Sequence, residues 1–128
     1  MAKVTGSVDD RGRPVVRLDG KDDSILVTVD TGFNGDLMVT REAAKVLGVD
    51  VTEIKSKIEL GDGTIARVHE SPALLSWLGE LRSTTVFVAD TWTTSPDAPS
   101  GLLGTRLLSP HLLLVDFDGR TVEIETQG

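Results

Sequence analysis

Residues 25–39 read Ile-Leu-Val-Thr-Val-Asp-Thr-Gly-Phe-Asn-Gly-Asp-Leu-Met-Val, and this stretch decides how the chain is interpreted. Its first five residues are apolar or β-branched, which is typical of a buried strand. The strand ends at Asp30, and Thr31 and Gly32 follow at once. Because Asp and Gly are common turn residues, the tripeptide alone favours an ordinary turn. A strand that delivers a carboxylate to a tight turn can also hold a catalytic group, so the rest of the chain must decide between the two interpretations.

Composition indicates a globular protein and excludes several classes of partner. The chain has 128 residues, of which 39% are hydrophobic and 26% charged, so we expect one domain covering residues 1–128. A formal net charge of −7, with Lys and Arg scattered along the chain, argues against nucleic acid or a membrane surface as partner. The sequence has no cysteine and no apolar leader at its start. We therefore expect no disulfide or thiolate metal site, and a cytoplasmic protein.

Short strands are predicted along most of the chain. Residues 57–67 form a predicted hairpin whose turn is Gly61-Asp62-Gly63. Residues 68–81 are predicted as one long bent strand, or as two strands broken near Pro72 and Gly79. Further strands are predicted at residues 15–18, 24–30, 84–89, 111–117 and 121–125, and a loop at 91–100.

Two short helices complete the prediction. Residues 40–48 read as a helix, with Thr40 able to cap its start and Gly48 able to take the left-handed position after its end. Residues 105–108 are long enough for one helical turn. Many short strands with one or two short helices predict a mostly β fold, namely a small closed β-barrel.

Three features then occur in a fixed order. They are Asp30-Thr31-Gly32 after an apolar strand, the glycine-tipped hairpin at residues 61–63, and Leu102-Leu103-Gly104 before a helical turn. Together they resemble the retropepsin-like aspartic proteases, and most closely the small single-domain prokaryotic group that carries Asp-Thr-Gly-Phe. The resemblance runs from about Ile25 to Phe117 and reverses the preference for an ordinary turn.

The resemblance implies that Asp30 is the catalytic residue of an aspartic endopeptidase. Thr31 would form hydrogen bonds across a subunit interface, and the N–H of Gly32 would help to hold the carboxylate. Two carboxylates that share a proton hydrolyse an amide without a metal or cofactor, and no second Asp-Thr/Ser-Gly occurs in the chain. The partner of Asp30 must then come from a second copy of the chain, so we expect a homodimer acting on a peptide or protein.

The resemblance also implies a substrate site. Gly61-Asp62-Gly63 would be the tip of a flap that closes over the peptide, and an ionised Asp62 would disfavour acidic substrates. Phe33, where many retropepsins have Ala or Ser, would form a bulky wall of the site. Trp92, in the loop at residues 91–100, would line a substrate pocket.

Several alternatives stay open at this point. The barrel can instead serve as a non-catalytic peptide-binding or dimerisation module. A dimer can interleave its terminal strands, as retroviral enzymes do, or residues 121–128 can form a hairpin within their own subunit. His69 and His111 are isolated in the sequence and are interpreted as surface or strand residues, so no metal site is predicted.

Overall fold

The computed structural model describes residues 2–92 and 94–127, and these form a mostly β protein. The elements up to the first helix are β1 (Lys3–Val8), β2 (Pro14–Asp19), β3 (Ser24–Val29), β4 (Leu37–Thr40) and α1 (Arg41–Leu47). The elements that follow are β5 (Lys55–Glu59), β6 (Ile65–Trp77), β7 (Glu80–Ala89), β8 (Gly101–Leu103), α2 (Thr105–Leu108), β9 (Leu112–Asp116) and β10 (Thr121–Glu125).

All of these strands belong to one sheet, in the order β5-β6-β7-β4-β8-β3-β2-β1-β10-β9. Neighbouring strands are antiparallel, except that β3 runs parallel to β8 and β4 runs parallel to β7. Within the described residues, β5 and β9 stand at the two ends and each has a single neighbour. The closed barrel predicted from the sequence is therefore not confirmed. The pattern of short strands predicts a β protein. A closed barrel also requires the two end strands to pair with each other, and the alternation of residues within a strand does not show whether they do.

The predicted helix at residues 40–48 is confirmed together with its caps. The Thr40 side chain accepts a hydrogen bond of 3.1 Å from the N–H of Ala43, which satisfies one of the free donors of the first turn. Gly48 ends the helix with φ 72°, the left-handed region that glycine tolerates best. Ala43 and Ala44 are buried, so α1 covers the sheet with its small-residue face.

The predicted strands are found, with two differences. Strand β6 continues through Pro72, and the break between β6 and β7 lies at Leu78 and Gly79 alone. Strands β1, β4 and β8 were not predicted. In the loop predicted at residues 91–100, the part that the structure describes is free of helix and strand, and Thr93 lies outside the described residues.

Two hydrophobic clusters flank β3 and β8. Ile25, Val27 and Val29 of β3 are buried in the larger cluster together with Leu103, so their side chains share one face of the sheet. The alternating residues of β3, which include Thr28, face the other way. A smaller cluster contains Phe33, Met38, Val68 and Ala89, with Leu60 of the β5–β6 hairpin packed against it. No helix among the described residues has the length and apolar character needed to cross a bilayer.

Candidate active site

Asp30 lies directly after β3, in a turn held by backbone hydrogen bonds. Its N–H donates to the carbonyl of Leu103 at 2.9 Å, and its own carbonyl accepts from the N–H of Phe33 at 3.1 Å. The N–H of Gly32 donates to Oδ1 of Asp30 at 2.9 Å. Asp30 is half-buried, whereas Thr31 and Gly32 are exposed. The turn therefore fixes the carboxylate while leaving it open to solvent on one side.

Gly104, the last residue of Leu-Leu-Gly, lies against this turn. A Cβ added to Gly104 would lie 2.1 Å from the carbonyl oxygen of Gly35 and 2.7 Å from that of Phe33. The N–H of Gly104 donates to the carbonyl of Asp36 at 3.0 Å, and the N–H of Thr105 donates to the carbonyl of Phe33 at 2.9 Å. The absence of a side chain at Gly104 thus lets two backbone segments make direct contact beneath the turn that carries Asp30.

The ring of Phe33 is buried, which differs from the substrate-facing wall expected from the sequence. Its exposed fraction is 1%, and it packs edge to face against Phe87 with the ring centroids 6.1 Å apart. Gly35 makes room for the ring, since a Cβ there would lie 2.7 Å from Cζ of Phe33. Phe33 therefore supports the floor of the site from below.

The tip of the β5–β6 hairpin touches the turn that carries Asp30. A Cβ added to Gly61 would lie 3.3 Å from both Cα and the carbonyl oxygen of Gly32, and a Cβ on Gly32 would lie 3.4 Å from Cα of Gly61. The two glycines, 29 positions apart in the sequence, thus bring the hairpin over the loop that carries Asp30. A hairpin in this position lies against the loop that carries Asp30, as a flap would.

Asp62 and Gly63 shape the turn at this tip. Oδ1 of Asp62 accepts hydrogen bonds from the hydroxyl of Thr64 at 2.7 Å and from its N–H at 2.9 Å. The hydroxyl of Thr64, followed by its N–H, holds the pKa of Asp62 below its ordinary value. Gly63 takes φ 85°, which a side chain would make unfavourable. Asp62 is therefore an ionised turn residue at neutral pH, exposed at the end of the hairpin.

An open cleft of about 630 Å³ lies beneath the hairpin. Leu60 and Ala66 of the hairpin, Met38 of β4, Leu102 of β8 and Trp92 form its apolar walls, and Arg67 and Asp90 add charged groups. Leu102 pairs with Thr28, and side chains two residues apart on a strand share a face. The same alternation, extended one residue past the end of β3, puts the Asp30 side chain on the face of the sheet that carries Leu102, although Asp30 itself does not line the cleft. Trp92 also lines this cleft, and its part in binding substrate stays a prediction.

A buried histidine lies close to this cleft, and the sequence interpretation missed its surroundings. His69 is in β6 with 5% of its surface exposed; its Nδ1 is 2.8 Å from the carbonyl oxygen of Thr52 and its Nε2 is 2.6 Å from Oδ1 of Asp90. Arg41 also donates to Oδ1 of Asp90, at 2.9 Å. The hydrogen bond from Arg41, and then that from His69, lower the pKa of Asp90, although partial burial opposes them. These three side chains tie β6, β7 and the start of α1 together behind the cleft.

Asp36 is a second residue that the sequence interpretation passed over. It is 6% exposed, and its Oδ2 accepts a hydrogen bond of 3.0 Å from the N–H of Thr85. This bond attaches the end of the loop that carries Asp30 to β7. The sequence alone does not show whether an Asp just before an apolar strand is a buried hydrogen-bond acceptor or an exposed turn residue.

Within residues 2–92 and 94–127, no three acidic or histidine side chains are grouped as a metal ion would require.

Comparison with known proteins supports the fold. No family model matches the chain, and no curated protein matches it. The crystal structure of a retropepsin-like aspartic protease from Rickettsia conorii is similar to it, with a TM-score of 0.58 over 95% of this chain and 89% of that chain. Because the two sequences are 21% identical, this likeness shows a shared fold and no more. The chain thus has the retropepsin-like fold that the order of its motifs predicts.

Proposed function

We propose that this chain is one subunit of a homodimeric aspartic endopeptidase in which Asp30 of each subunit supplies half of a catalytic dyad. The observation that carries the proposal is the Asp30 carboxylate itself. It is oriented by the N–H of Gly32 at the end of β3, in a loop that the glycine tip of the β5–β6 hairpin contacts. The retropepsin-like fold of the chain adds independent support.

The proposed chemistry needs two carboxyl groups that share one proton. The ionised carboxylate takes a proton from a water molecule, whose oxygen then attacks the carbonyl carbon of the peptide. The neutral carboxyl group donates its proton to the carbonyl oxygen, which gives a neutral tetrahedral intermediate. The nitrogen of the leaving group then takes a proton from the dyad, the C–N bond breaks, and the remaining hydroxyl returns a proton to the dyad. Because two adjacent carboxylates cannot both ionise easily, the pair titrates as a unit.

The cleft suits an extended peptide. A peptide bound in β conformation beneath the hairpin would form main-chain hydrogen bonds and place alternate side chains in pockets. The walls formed by Met38, Leu60 and Leu102 favour an apolar substrate side chain next to the scissile bond. The contact between Gly61 and Gly32 must open to admit the peptide, and closure afterwards excludes water from the dyad.

Replacement of Asp30 tests the proposal directly. We expect Asp30→Asn to reduce cleavage of an unfolded protein by a factor of about 10² to 10⁴, because an amide cannot act as the general base. Asp50→Asn, at an exposed position after α1, is the matched control and should cleave like the native chain. Equal activity of Asp30→Asn and the native chain at every pH from acidic to neutral would reject the proposal.

Mixing the two chains tests whether the dyad is shared. If each subunit supplies one carboxylate, a mixed dimer of native and Asp30→Asn chains lacks one acid and is inactive. A growing excess of Asp30→Asn chain should therefore suppress the activity of a fixed amount of native enzyme, whereas Asp50→Asn should not. Activity that stays proportional to the native chain alone, after subunit exchange has been verified, would show that one subunit suffices. Binding of extended peptides without cleavage would instead identify a peptide-binding module.

A further inference from the structure

The two ends of the sheet differ in a way that points to a partner. Strand β5 at one end reads Lys-Ser-Lys-Ile-Glu, with Lys55, Lys57 and Glu59 exposed. Charged side chains on an end strand, lysine above all, prevent it from pairing with other strands. Strand β9 at the other end reads Leu-Leu-Leu-Val-Asp, and its only charge is on Asp116. The sequence protects one free edge and leaves the other apolar.

Strand β9 also exposes large apolar side chains. Leu112 is 39% exposed and Leu114 is 50% exposed, and Phe117 just after the strand is 62% exposed. The alternating residues Leu113 and Val115 pack partly against the larger hydrophobic cluster. The strand thus presents an unpaired backbone edge with leucines on its outer face, and such surfaces mark sites of association.

The terminal strands of the chain are already paired within it. Strand β1 pairs with β10 from Lys3 to Ser7 and with β2 at Ser7 and Val8. Strand β10 also pairs along its whole length with β9. A dimer that interleaved the terminal strands of two subunits would have to break these ladders. The free edge of β9 is available without such a loss.

Strand β9 is also connected to the catalytic turn through a short segment. The N–H groups of Thr105 and Arg106, at the start of α2, donate to the carbonyls of Phe33 and Gly35, so α2 is fixed to the catalytic loop. Leu108 ends α2, and β9 begins four positions later at Leu112. A second subunit that docks on β9 therefore lies close to the loop that carries Asp30.

We infer that the occupant of the β9 edge is β9 of a second copy of this chain, paired antiparallel about a two-fold axis. This inference rests on the proposed function, in which the site of one subunit is incomplete until a partner supplies its Asp30. Antiparallel pairing of identical strands is isologous, so both subunits use the same surface and the assembly closes as a dimer. The pairing covers both apolar edges and joins the two sheets into one.

Strand pairing alone does not make the whole interface. Stable dimers bury about 1,200 to 2,000 Å² in total, which is more than one pair of five-residue strands supplies. The exposed Thr31 and Gly32, next to the catalytic carboxylate, provide the second contact. An interface that includes both regions places the two-fold axis between the Asp30 side chains, as the dyad requires.

The first experiment places a charge on the proposed axis. Leu114→Lys brings two like charges together across the two-fold, so we expect its dimer dissociation constant in sedimentation equilibrium to rise at least about tenfold. Leu74→Lys is the matched control, because Leu74 is 70% exposed but lies on β6, away from β9. Near-ultraviolet circular dichroism verifies that each variant is folded, and Leu114→Thr replaces Leu114→Lys if the lysine variant is not. A folded β9 variant with an unchanged dissociation constant, or a native chain that stays monomeric, overturns the inference.

The second experiment uses the absence of cysteine from the sequence. A single cysteine placed at Leu114, on the proposed axis, should be joined into a covalent dimer by a short bismaleimide. Single cysteines at Leu112 and Asp116 should require a longer one, because each would lie about 14 Å from its copy. A single cysteine at Lys57, on the opposite end strand, should form no covalent dimer. Crosslinking at position 57 but at none of the β9 positions would refute the inference.

The two proposals can fail separately. A Leu114→Lys chain that remains dimeric and still cleaves peptides would remove β9 from the interface and leave the peptidase intact. A native dimer that crosslinks through β9 but cleaves nothing at any pH would keep β9 in the interface and reject the peptidase. A folded, monomeric Leu114→Lys chain without cleavage supports both proposals.

Discussion

Gly104 shows how one residue type can be required by its surroundings. At position 104, the Cβ of any other residue would lie only 2.1 Å from the carbonyl oxygen of Gly35. Gly35 and Gly104 both lie in backbone segments that are held by hydrogen bonds, so moving either segment would cost free energy. The glycine of Leu-Leu-Gly is therefore a steric requirement of the loop that carries Asp30, whether or not the chain is an enzyme.

We accordingly predict that Gly104→Ala lowers the free energy of unfolding by at least about 4 kcal/mol, the range of severe packing faults. Urea unfolding followed by tryptophan fluorescence measures this change. Gly61→Ala is the matched control, since an added Cβ there keeps 3.3 Å from its nearest neighbours and the hairpin tip can shift slightly. Similar losses for the two variants would contradict the steric explanation.

His111, just before β9, should make the stability of the chain depend on pH. Its Nδ1 is buried and has no hydrogen-bond partner among the described residues. Burial, followed by the charge of Arg82, lowers the pKa of His111 below 6.5, and Glu80 opposes this shift. The unfolded chain thus binds a proton more readily than the folded one, so this contribution to stability is present above pH 6.5 and is lost as the pH falls through the folded-state pKa.

We therefore predict that His111→Gln reduces the loss of stability between about pH 7.5 and pH 5.5. The free energy of unfolding in urea, measured across this range at one protein concentration, tests the prediction. Because the carboxylates are the same in both chains, the difference between the two curves isolates the histidine. Parallel curves for the native chain and the variant would show that His111 is not responsible.

At the scale of elements, the sequence predicted those whose signals are local. The cap residues of α1 and the Gly61-Asp62-Gly63 turn are examples, because each acts within a few positions of the chain. Strand β4 was missed because all four of its residues are buried, so it shows no alternation. Strand β1 alternates between exposed and more buried residues. It also contains polar residues and Gly6, and a glycine within a strand weakens the sequence pattern from which a strand is predicted.

The strand through Pro72 shows how context overrides a local rule. Strand β5 pairs with β6 only from Ile65 to His69, so that side of β6 is unpaired at Pro72. On the other side Pro72 lies opposite Thr85, whose N–H donates to Asp36 and not to β6. The N–H that proline lacks is therefore not needed there, and the strand continues.

The cap of α1 gives a prediction at this scale. Thr40 is 1% exposed, and its hydroxyl satisfies the N–H of Ala43. Thr40→Ala should lower the free energy of unfolding by about 1 to 2 kcal/mol, since a buried N–H loses its acceptor. Thr40→Ser keeps the hydroxyl and should cost less, and urea unfolding of the two variants compares them directly. A serine variant as unstable as the alanine variant would assign the loss to the methyl group.

For the whole molecule, the assembled site lay beyond what the sequence could predict. The turn that carries Asp30 followed from motif order, but the contact between Gly32 and Gly61 depends on how β6 and β7 pair. The cleft likewise collects Met38, Leu60, Trp92 and Leu102 from four separate segments. Long-range pairing of this kind is set by the complete sheet, and one strand at a time does not reveal it.

The last prediction concerns the charge of the whole molecule. Each chain carries a formal net charge of −7, so two subunits repel each other as they associate. The repulsion is also local, because Glu123 and Glu125 of β10 lie opposite Leu114 and Leu112 of β9, and among the described residues Lys3 is the only cation within 4.0 Å of those two glutamates. The attraction at the proposed interface comes from leucines and backbone hydrogen bonds, which salt does not screen.

We therefore expect the dimer to tighten as salt is added. Between about 0.05 M and 0.5 M sodium chloride the screening length falls from more than 10 Å to about 4 Å, so the repulsion fades while the apolar contact remains. Sedimentation equilibrium should show a dissociation constant that decreases, by about tenfold, over this range. Lowering the pH towards the isoelectric point of about 4.7 should act in the same direction. An interface built on ion pairs would weaken with salt instead, so a dissociation constant that rises with sodium chloride would place the subunit contact on charged surfaces away from β9.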